Sequence, residues 1–220
     1  MIKILNLYAG IGGNRKLWDG DIEVIAVENN KEIAKIYQDF FPNDKVIIAD
    51  AHQYLLEHFE EFDFIWSSPP CQSHSGTNHF LFGQGIRRFP DLKLYEEIIF
   101  LKHWFKGKWV VENVKPYYEP LIKGQQCGRH YFWSNFHIIP IKVDYGIGTW
   151  NRKTASKEKQ RKAIIREAQI PELTTLHELN LKGYKLKNKR QVLRNCVLPR
   201  VGLHIFKMAF KEPQKTLNLV

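Results

Sequence analysis

The sequence predicts an α/β fold: a mostly parallel sheet with helices on both faces. Two observations carry that reading. Short apolar runs of strand length, at 2–8, 22–27, 46–49, 62–66 and 109–111, alternate with stretches of helical period. Each run is followed by a residue suited to holding a ligand: Gly10, Glu28, Asp50, Cys71 and Glu112 in turn. Open parallel sheets bind their ligands beyond the carboxyl ends of the strands, so these five residues are expected on one rim.

The bulk numbers narrow the class. A chain of 220 residues fits one domain, or one domain with a small annex. A hydrophobic content of 44% supports a real core. A net charge of +10 points to a polyanionic partner, nucleic acid before an acidic membrane surface. Cysteines at 71, 127 and 196 form neither a C-x-x-C pair nor a disulfide framework. A reducing, cytoplasmic setting is therefore expected, and no metal site. No apolar run approaches the length of a membrane-spanning helix. The start, Met1-Ile2-Lys3-Ile4-Leu5, enters a strand-like run without signal-peptide architecture.

The first run leads into Ala9-Gly10-Ile11-Gly12-Gly13-Asn14, followed by a stretch that can be helical. A strand, a glycine turn and a helix N-terminus let backbone approach a ligand closely. The pattern is neither G-x-G-x-x-G nor a Walker A loop. Glu28 closes the second run about twenty residues on, where an acid suits a ribose diol. Residues 31–41 are amphipathic, with Ile33, Ile36, Tyr37 and Phe40 on one face, and Pro42 stops them. The third run ends in Asp50.

The fourth run ends in Ser67-Ser68-Pro69-Pro70-Cys71-Gln72-Ser73. Two prolines stop the ladder, because they fix φ and donate no N–H. A thiol follows at the rim. By itself Cys71 reads either as a small buried hydrophobe or as a reactive group. Residues 73–90 form a long loop, with Gly76, Gly83 and Gly85 as hinges and Arg87 and Arg88 as cations. Residues 91–105 return to helical period, and the fifth run ends at Glu112-Asn113-Val114. Residues 131–141 read as a strand or hairpin. From 151 to 190 there are twelve Lys/Arg against four Asp/Glu, and 151–169 could be a basic helix. That run reads either as a solvated face or as a phosphate-contacting surface. A closing helix is expected from about Arg200.

Taken in order, these motifs resemble the DNA (cytosine-5)-methyltransferase family. Its first motif, F-x-G-x-G-G, is matched by Tyr8-Ala9-Gly10-Ile11-Gly12-Gly13, with Tyr8 in place of phenylalanine. Pro70-Cys71-Gln72 matches the P-C-Q nucleophile motif and Glu112-Asn113-Val114 the E-N-V motif. Gln125-Gln126-Cys127-Gly128-Arg129 keeps the first and last positions of Q-x-R-x-R. Arg194-Asn195-Cys196-Val197-Leu198-Pro199 is similar to G-N-x-V-x-P, with Arg194 in place of glycine. Asn6 stands where relatives often carry aspartate. The likeness covers roughly 1–135 and 190–210.

The resemblance implies a Rossmann-like S-adenosylmethionine-dependent methyltransferase fold with a small basic recognition region. The implied division is a catalytic and cofactor-binding part over 1–140, a short target-recognition region over 141–190, and a segment over 191–220 that packs back on the first. Implied cofactor-binding residues are Tyr8, Ala9, Gly10, Ile11, Gly12, Gly13, Glu28, Asn29, Asp50, Ala51, Pro70 and Asn195. Cys71, Glu112 and Arg129 are the implied catalytic residues, and Cys127 and Cys196 are expected to be structural. Gln72, Ser73, Arg87, Arg88, Arg152 and Lys153 are the expected nucleic-acid contacts.

The implied reaction is methylation of carbon 5 of a cytosine flipped out of double-stranded DNA, through a Cys71 adduct at carbon 6. Amino-group methyltransferases carry a D/N/S-P-P-Y/F motif similar to Ser68-Pro69-Pro70, but Cys71 takes the aromatic position. Two other readings stay open: a tRNA cytosine-5 methyltransferase with the same motifs, and a non-catalytic nucleic-acid-binding protein on the same fold. A monomer of bacterial, archaeal or phage origin is expected, with a partner subunit as the alternative.

Overall fold

The structure, a computed structural model, describes residues 1–143 and 169–211. Its centre is a seven-stranded sheet of order β3-β2-β1-β4-β5-β7-β6. Five strands are parallel: β1 (Ile2–Leu7), β2 (Ile22–Val27), β3 (Lys45–Ile47), β4 (Phe64–Ser67) and β5 (Lys108–Val114). A hairpin of β6 (Gln125–Cys127) and β7 (His130–Ser134) closes one edge, β7 running antiparallel to β5. The order reverses between β1 and β4, so the carboxyl ends of these strands open the crevice where ligands of such sheets bind.

Strand alternation divides the core into two layers. Ile4, Phe64, Trp66 and Val110 face one side, with Trp18 and the last helix, α7 (Pro199–Ala209). Leu5, Leu7, Ile65 and Val111 face the other, under α2 (Ala51–His58) and α4 (Lys93–Trp104). α1 (Lys31–Phe40) starts on an Asn30 cap whose side chain accepts from Glu32 and Ile33 amides. It buries Ala34, Ile36 and Tyr37. Among the described residues the remaining α-helices are α3 (Asn78–Phe82), α5 (Gln169–His177) and α6 (Lys189–Asn195). Leu173 of α5 and Leu193 of α6 pack with Ile11 and Ile36, so this distal segment covers the first turn of the chain.

Several local expectations shift. The stretch after Gly13 is a run of turns, not a helix. Only eight residues separate Gly13 from β2, and their side chains are committed elsewhere. Asn14 donates to Asn6 at 2.8 Å, and Arg15 makes a two-nitrogen bond to Asp44 at 2.9 Å. The glycine turn therefore has no helix N-terminus behind it. The third strand is shorter than the apolar run, and Ile48 is exposed. The loop over 73–90 contains the short helix α3. β5 runs through Glu112 to Val114 because β7 pairs with it over that stretch, Glu112 lying opposite Phe132. The hairpin lies earlier than the aromatic run suggested, since β6 takes in Cys127 and the strand stops at Ser134. Most of the expected basic helix over 151–169, with Arg152 and Lys153, lies outside the described residues.

Candidate active site

The turn after β1 holds its shape through three left-handed residues, Tyr8 at φ 53°, Gly10 at 55° and Gly12 at 81°. The strained Tyr8 is fixed by its own side chain. Its hydroxyl donates to Glu97 Oε1 at 2.6 Å, and burial together with that carboxylate raises the phenol's pKa far above its usual value. Glu97 sits fully buried on α4. Its Oε2 accepts from Ser67 Oγ at 2.6 Å, and its Oε1 lies 3.1 Å from His52 Nδ1. One carboxylate thus joins the glycine turn, the end of β4 and α2.

The turn is packed on one side and open on the other. A Cβ at Gly13 would lie 2.7 Å from both Cys196 Cβ and the Val197 carbonyl oxygen, and one at Gly12 would enter the Phe41 ring. A Cβ at Gly10 would meet nothing within 4 Å. Glu28 spans the open side, with Oε2 accepting from the Gly10 amide at 3.0 Å and Oε1 from the Asn30 amide at 2.9 Å. Asp50 caps α2, accepting from the Gln53 amide at 2.9 Å, and is exposed. Asn29 and Pro70 are exposed, whereas Ala9, Ile11 and Ala51 are buried. Asn195 is exposed, and its Oδ1 accepts from Gln191 at 2.6 Å.

Cys71 stands half-buried just past β4. Its carbonyl accepts from the His74 and Ser75 amides at 3.1 and 3.0 Å, so the chain doubles back immediately. Burial, with the charge of Glu112, pushes the thiol up to about 11, and Arg129 pulls against both. Glu112 is 7% exposed, and burial pushes its carboxyl up to about 7 against a Ser68 hydrogen bond and the charge of Arg129. His130 Nε2 lies 3.8 Å from Glu112 Oε1. Burial and the nearby Arg129 hold that imidazole down to about 3. It is neutral at physiological pH, so the two do not form an ion pair.

Arg129 donates from Nη2 to the Arg194 carbonyl at 3.1 Å. It binds the hairpin to α6 while its charge reaches both Cys71 and Glu112. Cys127 and Cys196 are buried, and burial pushes Cys196 up to about 12, which suits inert thiols. Beyond Cys71, the Gln72 carbonyl accepts from Asn78 Nδ2 at 3.0 Å and Arg88 Nη1 at 3.4 Å. Ser73 Oγ accepts from the Asp91 amide at 3.1 Å. Arg87 is exposed.

Sequence reasoning missed Glu97 and His130, and named Asn113 only as a motif letter without its buried hydrogen bond to the Pro69 carbonyl at 3.0 Å. Glu97 had a signal, because it falls in the Leu94, Ile98 and Leu101 stripe that faces the core. Among the described residues, no group of three or more His, Cys, Asp or Glu could hold a metal ion. No helix among them is long and apolar enough to cross a membrane.

The chain is 34% identical over 86 residues to a tRNA (cytosine(38)-C(5))-methyltransferase of Spodoptera frugiperda, a match covering 36% of this chain. The chain spans about a quarter, 26%, of that curated relative. The Entamoeba histolytica methyltransferase EhMeth has a similar fold, with a TM-score of 0.59 at 13% identity, over 96% of this chain and 99% of that one. A Spodoptera frugiperda DNMT2 mutant gives 0.58 at 16% identity, over 96% and 100%. The profile of the C-5 cytosine-specific DNA methylase family matches residues 2–117, the part that carries the glycine turn, Cys71 and Glu112. The fold is that of S-adenosylmethionine-dependent methyltransferases, and the chain belongs to the C-5 cytosine-specific DNA methylase family.

Proposed function

We propose that the chain methylates carbon 5 of a cytosine flipped out of double-stranded DNA, with Cys71 as nucleophile. One observation carries the reading: β4 and β5 pair in parallel and Asn113 donates to the Pro69 carbonyl at 3.0 Å, so Glu112 and the half-buried Cys71 thiol share one rim of the sheet, where the charge of Glu112 acts on the thiol.

The residues of the rim fit S-adenosylmethionine. Gly10 leaves open space, Glu28 offers a carboxylate beside it for the ribose hydroxyls, and Asp50 stands past β3, at the N-cap of α2, for the adenine amino group. Bound there, the cofactor supplies an electrophilic methyl group. Tyr8, Ala9, Ile11, Gly12, Gly13, Asn29, Ala51, Pro70 and Asn195 complete the cofactor site in this reading. The buried ones act through backbone and shape.

The Cys71 thiolate forms a bond to carbon 6 of the ring, and Glu112 gives its proton to ring nitrogen 3, where negative charge develops. Arg129 holds carbonyl oxygen 2. Carbon 5, now an enamine carbon, takes the methyl group. Loss of the carbon 5 proton to solvent then breaks the carbon–sulfur bond and returns the thiolate, and ring nitrogen 3 gives its proton back to Glu112. Gln72, Ser73, Arg87 and Arg88 contact the strand, and the net charge of +10 supplies phosphate affinity. The short region over 141–190 serves target recognition, and the segment around 193–197 backs the cofactor turn.

A second reading has tRNA as the substrate. It is favoured by the 34% identity to a curated tRNA (cytosine(38)-C(5))-methyltransferase. Methyl transfer from labelled S-adenosylmethionine to DNA and to tRNA, run side by side and followed by bisulfite sequencing, tests both. Label in cytosine of duplex DNA is the expected result. Label confined to tRNA would move the assignment to RNA, and label in neither would remove the activity.

A further inference from the structure

The loop that follows Cys71, together with the turn into α4, exposes an unusual amount of apolar surface. Phe80 is 70% exposed, Phe82 41%, Ile86 50%, Phe89 80% and Leu92 61%, all within thirteen residues. Exposed apolar side chains are ordinary when scattered, but a cluster of this kind marks a binding surface.

Phe89 stands out because its neighbours are pinned to the nucleophile's own segment. Arg88 Nη1 donates to the Gln72 carbonyl at 3.4 Å, and the Arg88 carbonyl accepts from the Tyr117 hydroxyl at 3.1 Å. On its other side, the Asp91 amide donates to Ser73 Oγ at 3.1 Å. The ring is therefore held out to solvent from a stretch tied to residues 72 and 73, directly after Cys71. Behind it, α3 is fixed by the buried Asn78, which donates to the same Gln72 carbonyl, and by edge-on packing of Phe82 with Tyr117 at 5.4 Å. Two exposed cations, Arg87 and Arg88, immediately precede Phe89, and the whole chain carries +10.

We propose that Phe89 is a stacking platform for an unpaired base of the nucleic-acid strand that carries the target cytosine. The proposal rests on the nucleic-acid reading above and adds to it how the strand is held. Exposed aromatic rings interleaved with cations are the general means of binding unstacked bases, the ring taking the base and the cations the phosphates. A flipped cytosine leaves its strand locally unstacked, and a ring beside Cys71 is placed to receive what is exposed.

The test is fluorescence anisotropy of the full chain with a fluorescein-labelled single-stranded oligonucleotide of mixed sequence. Phe89→Ala should weaken binding roughly 5- to 150-fold, the loss of one stacked base, while Phe89→Trp retains it. Phe89→Leu should behave like alanine, since it keeps apolar volume and loses the ring face. Each variant's circular dichroism reports that the chain is folded. Unchanged affinity in Phe89→Ala would overturn the proposal and leave the nucleic-acid reading standing. Full rescue by leucine would also overturn it, as simple apolar contact. A dimer in sedimentation, abolished by Phe89→Ala with oligonucleotide affinity intact, would assign the patch to a second copy of the chain. Failure of the unaltered chain to bind any single-stranded or duplex oligonucleotide would remove both readings.

Discussion

Asn113 donates from Nδ2 to the carbonyl oxygen of Pro69 at 3.0 Å, tying the strand that carries Glu112 to the turn that carries Cys71. The bond is buried, Asn113 being 1% exposed, and its Oδ1 accepts from the Val114 amide at 2.9 Å. Glu112 and Cys71 come from chain positions forty-one apart, and this amide bridges them.

Asn113→Ala should therefore loosen the site as well as the fold. Losing a buried donor and orphaning a carbonyl costs about 1–3 kcal/mol of stability. An effect of similar size is expected on kcat for methyl transfer, roughly 10- to 100-fold, because small misplacements of reacting groups are costly. Cofactor affinity, measured by calorimetry, should hold. Equal kcat in the variant would show that the bond does not position the pair.

The raised carboxyl of Glu112 makes a pH-dependent contribution to stability. Its ordinary pKa is 4.5 and its folded value is about 7, so the fold favours the protonated form. Below pH 4.5 both states are protonated and nothing is lost. Between 4.5 and 7 the unfolded chain ionises first, and stability falls as pH rises. Above 7 the cost is complete, up to about 3 kcal/mol. Urea unfolding of Glu112→Gln should show a gain at pH 8 that vanishes at pH 4.5. A gain independent of pH would contradict this.

The same two groups set a rate profile. The proposed reactive form has Cys71 ionised and Glu112 protonated, whereas the thiol is pushed up to about 11 and the carboxyl to about 7. That form is a minor one with the same proton count as the neutral thiol beside a carboxylate. Accordingly kcat/KM should climb about tenfold per pH unit up to roughly pH 7 and then run flat toward 11. A profile still climbing tenfold per unit between pH 8 and 10 would mean that Glu112 need not be protonated.

Glu28→Ala should weaken cofactor binding about tenfold or more and leave nucleic-acid binding alone. Its two oxygens hold the Gly10 and Asn30 amides, so its loss frees both the open glycine and the cap of α1. Calorimetry giving equal affinity would remove Glu28 from the cofactor site.

Much of this rim was legible because each motif sits on a strand end, where apolar periodicity stops and a chemically distinctive residue begins. Gly10, Glu28, Asp50 and Cys71 all fall on such ends, and one parallel sheet gathers them. Glu112 was found by motif, but its surroundings were not foreseen. Apolar patterning suggested that its strand stopped short, and only pairing with β7 buries it and brings in His130. The helix expected after Gly13 failed for a non-local reason. Asn14 answers to Asn6, Arg15 to Asp44, and a Cβ at Gly202 of α7 would collide with Asn14. Glu97 was hidden in a helix read for its apolar face, and its three partners come from three separate elements.

The central claim is that Cys71 bonds to cytosine. DNA and RNA in which 5-fluorocytosine replaces cytosine throughout will not release the thiol, because the fluorine at carbon 5 cannot leave as a proton does. Incubated with S-adenosylmethionine, the chain should form a denaturation-resistant adduct on gels, mapped by mass spectrometry to the peptide carrying Cys71 and absent from Cys71→Ser. An undiminished adduct with Cys71→Ser, or an adduct mapped to Cys127 or Cys196, would contradict the account.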